Sequence, residues 1–145
     1  MSLEYNKALV RRWHDLESWK DVEAIAEILA PDFTGHHLDH PKPMTRDDVI
    51  RFVNEQRASF PDLRDTIHEI VAQGDLVAVR FTRTATFEGR WRELDPTRRT
   101  NSVSMFQLVR IAGDQIAESW LVWDSARLEK LLGIYGKYLC KEVYP

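Results

Sequence analysis

The sequence predicts an α+β fold, with helices in the first half of the chain and strands in the second. Before Pro61, apolar residues recur at the spacing of amphipathic helices. After Pro61, apolar and polar residues alternate, and the pairs Gly74-Asp75 and Gly113-Asp114 separate the alternating segments as strand-connecting turns do. Helices followed by an antiparallel meander are typical of the α+β class.

Three helices are predicted. The first covers residues 3–19, where apolar side chains form one stripe. The second follows Asp21 and ends before Pro31, because a proline disfavours helical backbone in the residue before it. The third begins at Thr45, a residue type that caps helices, and ends before Pro61.

Four strands are predicted after the helices. The first covers residues 63–72, and the second begins at Val77. That second strand has the clearest pattern, because its odd positions are mostly apolar and its even positions are mostly Arg and Thr. The third covers residues 103–109 and the fourth residues 115–123, with a short helix expected after Asp124.

Composition limits the function classes. A chain of 145 residues predicts one domain over residues 1–145, and 43% hydrophobic with 30% charged residues excludes disorder. The net charge of −3 argues against nucleic acid and anionic membranes as partners. The single cysteine, Cys140, cannot form an intramolecular disulfide, and no apolar run resembles a signal peptide or a membrane span. We therefore expect a cytoplasmic protein.

Several motifs resemble one protein family in order and spacing. They are Ala30-Pro31-Asp32-Phe33, Ser59-Phe60-Pro61-Asp62-Leu63, Gly74-Asp75-Leu76-Val77-Ala78-Val79-Arg80 and Glu118-Ser119-Trp120-Leu121-Val122-Trp123-Asp124. The stretch from Asn6 to Gly133 thereby resembles the SnoaL-like polyketide cyclases of the nuclear-transport-factor-2-like superfamily. The resemblance implies a curved antiparallel sheet, wrapped by N-terminal helices into a cone that encloses a pocket.

Asp124 is the first candidate catalytic residue. Strand alternation places it on one face with Trp120 and Val122, where a poorly solvated carboxylate can take and return a proton. The resemblance places the family's catalytic acid/base at this residue. Alternatively, Asp124 only caps the helix that begins at Ser125.

His36 is the second candidate. It lies in the run His36-His37-Leu38-Asp39-His40, but neighbouring residues of an extended segment face opposite ways, so we expect no metal site. The resemblance implies a pocket histidine at His36 that shares a proton with Asp124 or hydrogen-bonds a substrate oxygen. Because both residues follow strands that converge on the interior of the cone, we expect Asp124 and His36 to open into one common cavity. The alternative is a loop histidine held by backbone groups, and His37 and His40 are expected to be solvated.

Aromatic and sulfur-containing side chains are candidates for the walls of a substrate pocket, and each has core packing as its alternative role. They are Trp13, Phe33, Phe52, Trp91, Met105 and Trp120. Trp91 lies in a polar segment and either closes the mouth of the cone or sits at an exposed hairpin tip.

Three residues depart from expectation. Relatives commonly carry Thr-His-x-Gly where this chain has Thr86-Phe87-Glu88-Gly89, so the histidine is replaced by Phe87. Arg98 stands where a glycine is usual. Arg83 falls on the apolar face of its strand, and a buried arginine needs a carboxylate partner, so it is either a site residue or part of a dimer contact.

The resemblance implies a cofactor-free enzyme that closes a ring by an aldol-type reaction in a small apolar carbonyl compound. Two alternatives remain. One is a non-catalytic binding domain, in which Asp124 turns onto the helix N-terminus. The other is a hydrolase, dehydratase or isomerase, and an epoxide hydrolase would show Arg83 bridged by two carboxylates, one of them Asp124.

The strands also predict an assembly. Val103 and Met105 belong to one strand face, while Phe106 and Leu108 belong to the other, so both faces carry apolar groups. One face can line the cone, and we expect the other to form a homodimer. The apolar tail over residues 134–145 is a candidate interface arm.

Overall fold

A computed structural model describes residues 2–37, 42–124 and 127. Its helices are α1 (Leu3–Trp19), α2 (Val22–Ile28) and α3 (Arg46–Ser59). Its strands are β1 (Leu29–His37), β2 (Met44–Thr45), β3 (Arg64–Gln73), β4 (Leu76–Thr86), β5 (Thr100–Ala112) and β6 (Gln115–Trp123). The α+β prediction is confirmed. Three predicted features lie outside the described residues: His40, the tail over residues 134–145 and, apart from Arg127, the short helix expected after Asp124.

Side-chain caps begin the helices, as the sequence predicts. The Asp21 carboxylate accepts the backbone N–H of Ala24 at 3.2 Å at the start of α2. At α3 the Thr45 hydroxyl accepts the N–H of Asp48 at 3.2 Å, and the Asp48 carboxylate accepts the N–H of Thr45 at 2.9 Å. These reciprocal bonds fix the start of α3, directly after β2.

The six strands form one sheet in the order β2-β1-β6-β5-β4-β3. Strands β3 to β6 make the predicted antiparallel meander, joined at Gly74 and Gly113, which both adopt positive φ. Strand β1, which the sequence did not predict, adds one parallel pairing to this antiparallel sheet, with β6. This pairing sets Gly35 beside Ser119 and His36 beside Trp120.

The helices cover one face of the sheet, which we call the inner face, and the core lies between them. Val77, Val79 and Phe81 of β4 are buried there, together with Val103 and Met105 of β5. Residues that alternate with these point to the opposite, outer face. The predicted division of β5 is confirmed, since Phe106 and Leu108 are exposed.

Within the described residues, no helix has the length and apolar character needed to cross a membrane.

Candidate active site

A cavity lies between the inner face of the sheet and helices α1 and α3. Its volume is about 60 Å³, which is enough for a few water molecules at roughly 10–15 Å³ each. Apolar side chains form most of the wall: Trp13, Phe33, Phe52, Phe81, Met105 and Trp123. The polar lining consists of His14, Glu17, His37, Arg83, Gln107 and Ser119. The cavity is therefore mostly apolar, with a polar patch in which His14, Glu17, Arg83 and Gln107 are linked through Asp65.

His14 lies at the centre of that patch. Its Nδ1 is 2.6 Å from the Asp65 carboxylate, and its Nε2 is 2.9 Å from Oε1 of Gln107. The carboxylate can only accept, so Nδ1 carries a proton and donates to Asp65. The imidazole is thus held at both nitrogens, and Nε2 donates to Oε1 of Gln107 in this orientation of the amide or, with the Gln107 amide turned over, accepts from its NH₂ group.

Arg83 connects Asp65 to a second carboxylate. Its Nε and Nη2 donate to Asp65 at 2.7 and 2.8 Å, and Nη2 also donates to Glu17 at 2.8 Å. The Asp65 side chain is only 1% exposed and that of Arg83 16%. The sequence prediction that Arg83 requires a carboxylate partner is confirmed. Because Arg83 lines the cavity, it does not belong to a contact on the outer face.

Asp65 and Arg83 strongly shift each other's pKa values. Burial alone would raise the pKa of Asp65, but the Arg83 guanidinium and the His14 hydrogen bond outweigh burial and hold that pKa well below its usual range. Burial likewise opposes the charge of Arg83, yet Asp65 and then Glu17 raise the pKa of Arg83 above its usual range. Both groups therefore remain charged at neutral pH.

The local fold explains how these side chains meet. His14 follows Val10 by one helical turn, so it faces the sheet from the buried stripe of α1. A β-bulge at His68, between the Ile67 and Glu69 pairings, shifts the register of β3 by one residue. The shift sets Asp65 directly opposite Arg83 on the inner face.

Lys20 ends α1 close to this network. It adopts a left-handed conformation, φ 57°, and its side chain is buried without a hydrogen-bond partner for Nζ among the described residues. Burial and then the charges of Arg83 and Arg57 lower the pKa of Lys20. Burying this ammonium without a hydrogen-bond acceptor among the described residues costs folding free energy.

Asp124 does not reach the cavity. It is exposed, and its carboxylate accepts the backbone N–H of Arg127 at 3.0 Å, which is the capping role. The expectation that Asp124 and His36 open into one cavity is therefore wrong. A catalytic role for Asp124 stays a prediction.

His36 lies on the outer face. Its Nε2 is 2.8 Å from Glu118, and its ring stacks on Trp120 with centroids 5.4 Å apart. The alternation along β1 instead turns His37 inward, where it lines the cavity and meets Trp123 edge-on at 5.0 Å. The expectation that His37 is solvated is wrong, because the odd-numbered residues in this part of β1 face the core. In the described part of the chain, no group of three His, Cys, Asp or Glu side chains could hold a metal ion.

The predicted wall residues divide into two groups. Trp13, Phe33, Phe52 and Met105 line the cavity, and their contact with a substrate stays a prediction. Trp120 does not line it, since it belongs to the outer face with His36. Trp91 is buried behind the cavity wall, with its ring centroid 6.0 Å from Phe52 and 5.5 Å from Phe60. It is neither an exposed hairpin tip nor part of the lining.

Sequence reasoning missed four polar residues of the site: His14, Glu17, Asp65 and Gln107. A signal for His14 was present, because a histidine one turn after Val10 interrupts an apolar helical stripe. Gln107 likewise lies two residues after Met105 on the inward face of β5. Nothing local marks Asp65, whose position depends on the bulge.

A comparison with known protein families decides which family this chain belongs to. The model of the SnoaL-like polyketide cyclases matches residues 7–132. The chain belongs to this family. No curated protein matches its sequence significantly.

Solved structures of similar proteins agree with the fold of this family member. AclR from Streptomyces galilaeus, a candidate hydroxylase, is 26% identical with a TM-score of 0.82, over 94% of this chain and 86% of that one. IdmH from Streptomyces antibioticus, a candidate polyketide cyclase, is 26% identical with a TM-score of 0.76, over 89% and 99%. A SnoaL-like protein from Jannaschia, 21% identical with a TM-score of 0.73 over 94% and 95%, supports the fold alone. These neighbours carry the cone architecture of the nuclear-transport-factor-2-like superfamily.

Proposed function

We propose that the protein is a cofactor-independent acid/base enzyme that closes a ring by an aldol-type reaction in a small apolar carbonyl compound. One observation carries the proposal. His14 lies in the wall of a mostly apolar cavity, oriented by Asp65 and close to the charged guanidinium of Arg83, which shares Asp65 with it. Membership in the SnoaL-like polyketide cyclase family supports the reaction class.

The first step would be proton abstraction at Nε2 of His14. A substrate that displaces the Gln107 amide meets Nε2, which can accept a proton in the tautomer that carries its single ring proton on Nδ1, and Nδ1 stays bonded to Asp65. The proton next to a carbonyl moves to Nε2 and leaves an enolate. The Arg83 guanidinium, which lines the same cavity, stabilises the negative oxygen.

The second step would form the ring. The enolate carbon attacks a second carbonyl carbon of the same molecule, and the imidazolium returns its proton to the resulting alkoxide. No atom is gained or lost, so no oxidant or reductant is needed. The apolar wall contributes by holding the chain folded, which removes much of the entropic barrier to closure.

A 1,5-diketone tests this proposal. 2,6-Heptanedione is small, and closure followed by loss of water gives a conjugated cyclohexenone that absorbs in the ultraviolet. We expect wild-type protein to accelerate its formation and His14→Gln to lose at least about 100-fold of the rate, the lower range for a positioned acid/base group. Equal rates for the two proteins, with both folded, would contradict the proposal.

A second candidate is hydrolysis of an epoxide. It is favoured by Arg83, which two carboxylates bridge, although these are Asp65 and Glu17 rather than Asp124. Glu17 would take a proton from water while the water oxygen attacks one epoxide carbon, and the imidazolium of His14 would give a proton to the opened oxygen. The proton on Glu17 would then pass back to His14 and restore the starting state. Formation of the diol from cyclohexene oxide, lost in Glu17→Gln, would establish this reaction.

A non-catalytic binding domain is the third candidate. The contact of Asp124 with the N–H of Arg127 is what such a domain would show. In that case the diketone would shift the fluorescence of the cavity tryptophans Trp13 and Trp123 without being converted.

A further inference from the structure

One aromatic side chain of the cavity wall differs from the others in burial. Trp13, Phe33, Phe81 and Trp123 are buried in the core, where close packing on every side holds them in place. Phe52, on α3, is only half-buried. Among the phenylalanine and tryptophan side chains that line the cavity in the described part of the chain, Phe52 is therefore the least enclosed.

Trp91 fills the space behind Phe52. It belongs to the segment between β4 and β5 and is 5% exposed. Its ring meets that of Phe52 at 69° with centroids 6.0 Å apart, and it meets that of Phe60 at 78° with centroids 5.5 Å apart. Edge-to-face contacts of this kind are an arrangement that aromatic rings prefer. Phe52 thus has the cavity on one side and Trp91 on another.

The segment that carries Trp91 is attached to the end of α3. The backbone carbonyl of Ser59 accepts the N–H groups of Glu88 and Gly89 at 2.9 and 3.3 Å. The Ser59 hydroxyl donates to the carbonyl oxygen of Arg90 at 3.0 Å. Three hydrogen bonds to one residue therefore fix the chain directly before Trp91.

Two further contacts tighten this attachment. Arg92 donates to the Glu55 carboxylate at 3.1 Å, and its guanidinium lies 5.6 Å from the ring centroid of Trp91. Gly89 lies so close to α3 that a Cβ atom there would be 2.2 Å from the carbonyl oxygen of Ala58, so only glycine allows this approach. Trp91 therefore cannot withdraw from the wall without breaking these contacts.

The size of the cavity makes the position of its wall important. Its volume of about 60 Å³ lies far below the roughly 300–1,000 Å³ of most ligand pockets. A ligand with bulky ends therefore needs a side chain of the wall to move aside. Phe52 is the least enclosed of these side chains, and Trp91 occupies the space into which it would move.

Phe60 separates a role in ligand size from a role in packing alone. It contacts Trp91 at a similar distance to Phe52, but it packs on Phe87 at 5.1 Å and does not line the cavity. A Trp91 that only packed the core would affect stability through both neighbours and leave the choice of ligand unchanged.

We propose that Trp91 is a positioning residue that sets the upper size limit of the ligand, because it holds Phe52 against the cavity. The ligand class that fits is a compact ketone with unbranched ends. This inference rests on the cavity being the ligand site of the proposed function, but it concerns which ligands fit rather than what the protein does to them.

Two 1,5-diketones that differ only at their ends test this assignment. 2,6-Heptanedione ends in methyl groups, and 2,8-dimethylnonane-3,7-dione ends in isopropyl groups. Titration calorimetry gives the dissociation constant of each ketone, and the ratio of the larger to the smaller ketone measures size selection. In Trp91→Leu this ratio should fall at least about 10-fold, the lower range for the effect of one methylene group in an apolar pocket.

Three further variants locate the effect. Phe60→Leu is the matched control, because Phe60 contacts Trp91 but not the cavity; it should leave the ratio unchanged even where it lowers the Tm. Phe52→Leu should lower the ratio as Trp91→Leu does, and the double variant should lower it by less than the product of the two single effects, because Trp91 acts through Phe52. Trp91→Phe keeps an aromatic ring, so it should lower the ratio by less than Trp91→Leu.

An unchanged ratio in both Trp91 variants would overturn the proposal, and so would an equal fall in Phe60→Leu. If circular dichroism shows that Trp91→Leu is unfolded, Trp91→Phe decides by whether the ratio falls. Binding of 2,6-heptanedione without conversion would contradict the proposed reaction and leave this inference in place. Conversion of 2,6-heptanedione with a ratio that is insensitive to Trp91 would do the reverse, and a wild type that binds neither ketone would contradict both.

Discussion

Replacing Asp65 by Asn should be one of the most destabilising single changes in the inner-face network. The Asp65 carboxylate accepts from His14 at 2.6 Å and from Arg83 at 2.7 and 2.8 Å, with its side chain only 1% exposed. The variant leaves a buried guanidinium with Glu17 alone. Removing one partner of a buried ion pair costs about 3–5 kcal/mol, and since the contact with Glu17 remains, we expect about 3 kcal/mol.

Thermal unfolding followed by circular dichroism measures this loss. For a chain of this size, about 3 kcal/mol lowers the Tm by roughly 10 °C. Glu69→Gln is the matched control, because Glu69 also makes two bonds to an arginine across neighbouring strands, but its side chain is 61% exposed. The control should unfold close to the wild type. Equal Tm changes in the two variants would refute the reasoning that burial makes the Asp65 network important.

Three further predictions concern stability. The pKa of Asp65 is lowered in the folded state, so its charge stabilises the fold above the unfolded pKa of about 3.9, and this contribution is lost as the pH falls through the folded pKa. Below pH 4 the urea midpoint of unfolding should therefore fall in wild type, and it should fall by less in Asp65→Asn. Equal falls of the midpoint in the two proteins would contradict this linkage. Lys20→Met removes a buried ammonium that has no hydrogen-bond partner within residues 2–37 and 42–124, so it should raise the free energy of unfolding by about 1 kcal/mol. A higher urea midpoint would show this gain, whereas a lower midpoint would show that the ammonium is compensated. Arg98 adopts φ 60°, so Arg98→Gly should raise the Tm by a few degrees through about 1 kcal/mol of relieved strain, and an unchanged Tm would show that the turn carries no strain.

Local signals predicted most of the secondary structure. The boundaries of α1 and the capping box of α3 follow from residues within one or two turns of each other. The hairpin of β3 and β4 follows from Gly74 and from alternation along the chain. Strand β1 could not be predicted in the same way, because it is paired by β6, about eighty positions later, and because Pro31 interrupts its pattern.

The site was harder to predict than the fold because it depends on register. Arg83 was recognised as a polar residue on an apolar strand face, and its need for a carboxylate was correct. Its partner Asp65 would point to the outer face without the bulge at His68, because a shift of one residue reverses every side chain. For Asp124 the chemistry of the side chain fits both a catalyst and a helix cap; the structure shows the contact with the N–H of Arg127, and the catalytic role stays a prediction.

Proton exchange at a single carbon tests the central claim most directly. In deuterated water, an enzyme that removes the proton next to a carbonyl of 2,6-heptanedione introduces deuterium there, which NMR detects before any ring closes. We expect exchange in wild type and in Asp124→Asn, and its loss in His14→Gln with both variants folded, because His14 lies in the cavity wall and Asp124 does not. Exchange that survives in His14→Gln and disappears in Asp124→Asn would contradict the account and return the catalytic role to Asp124.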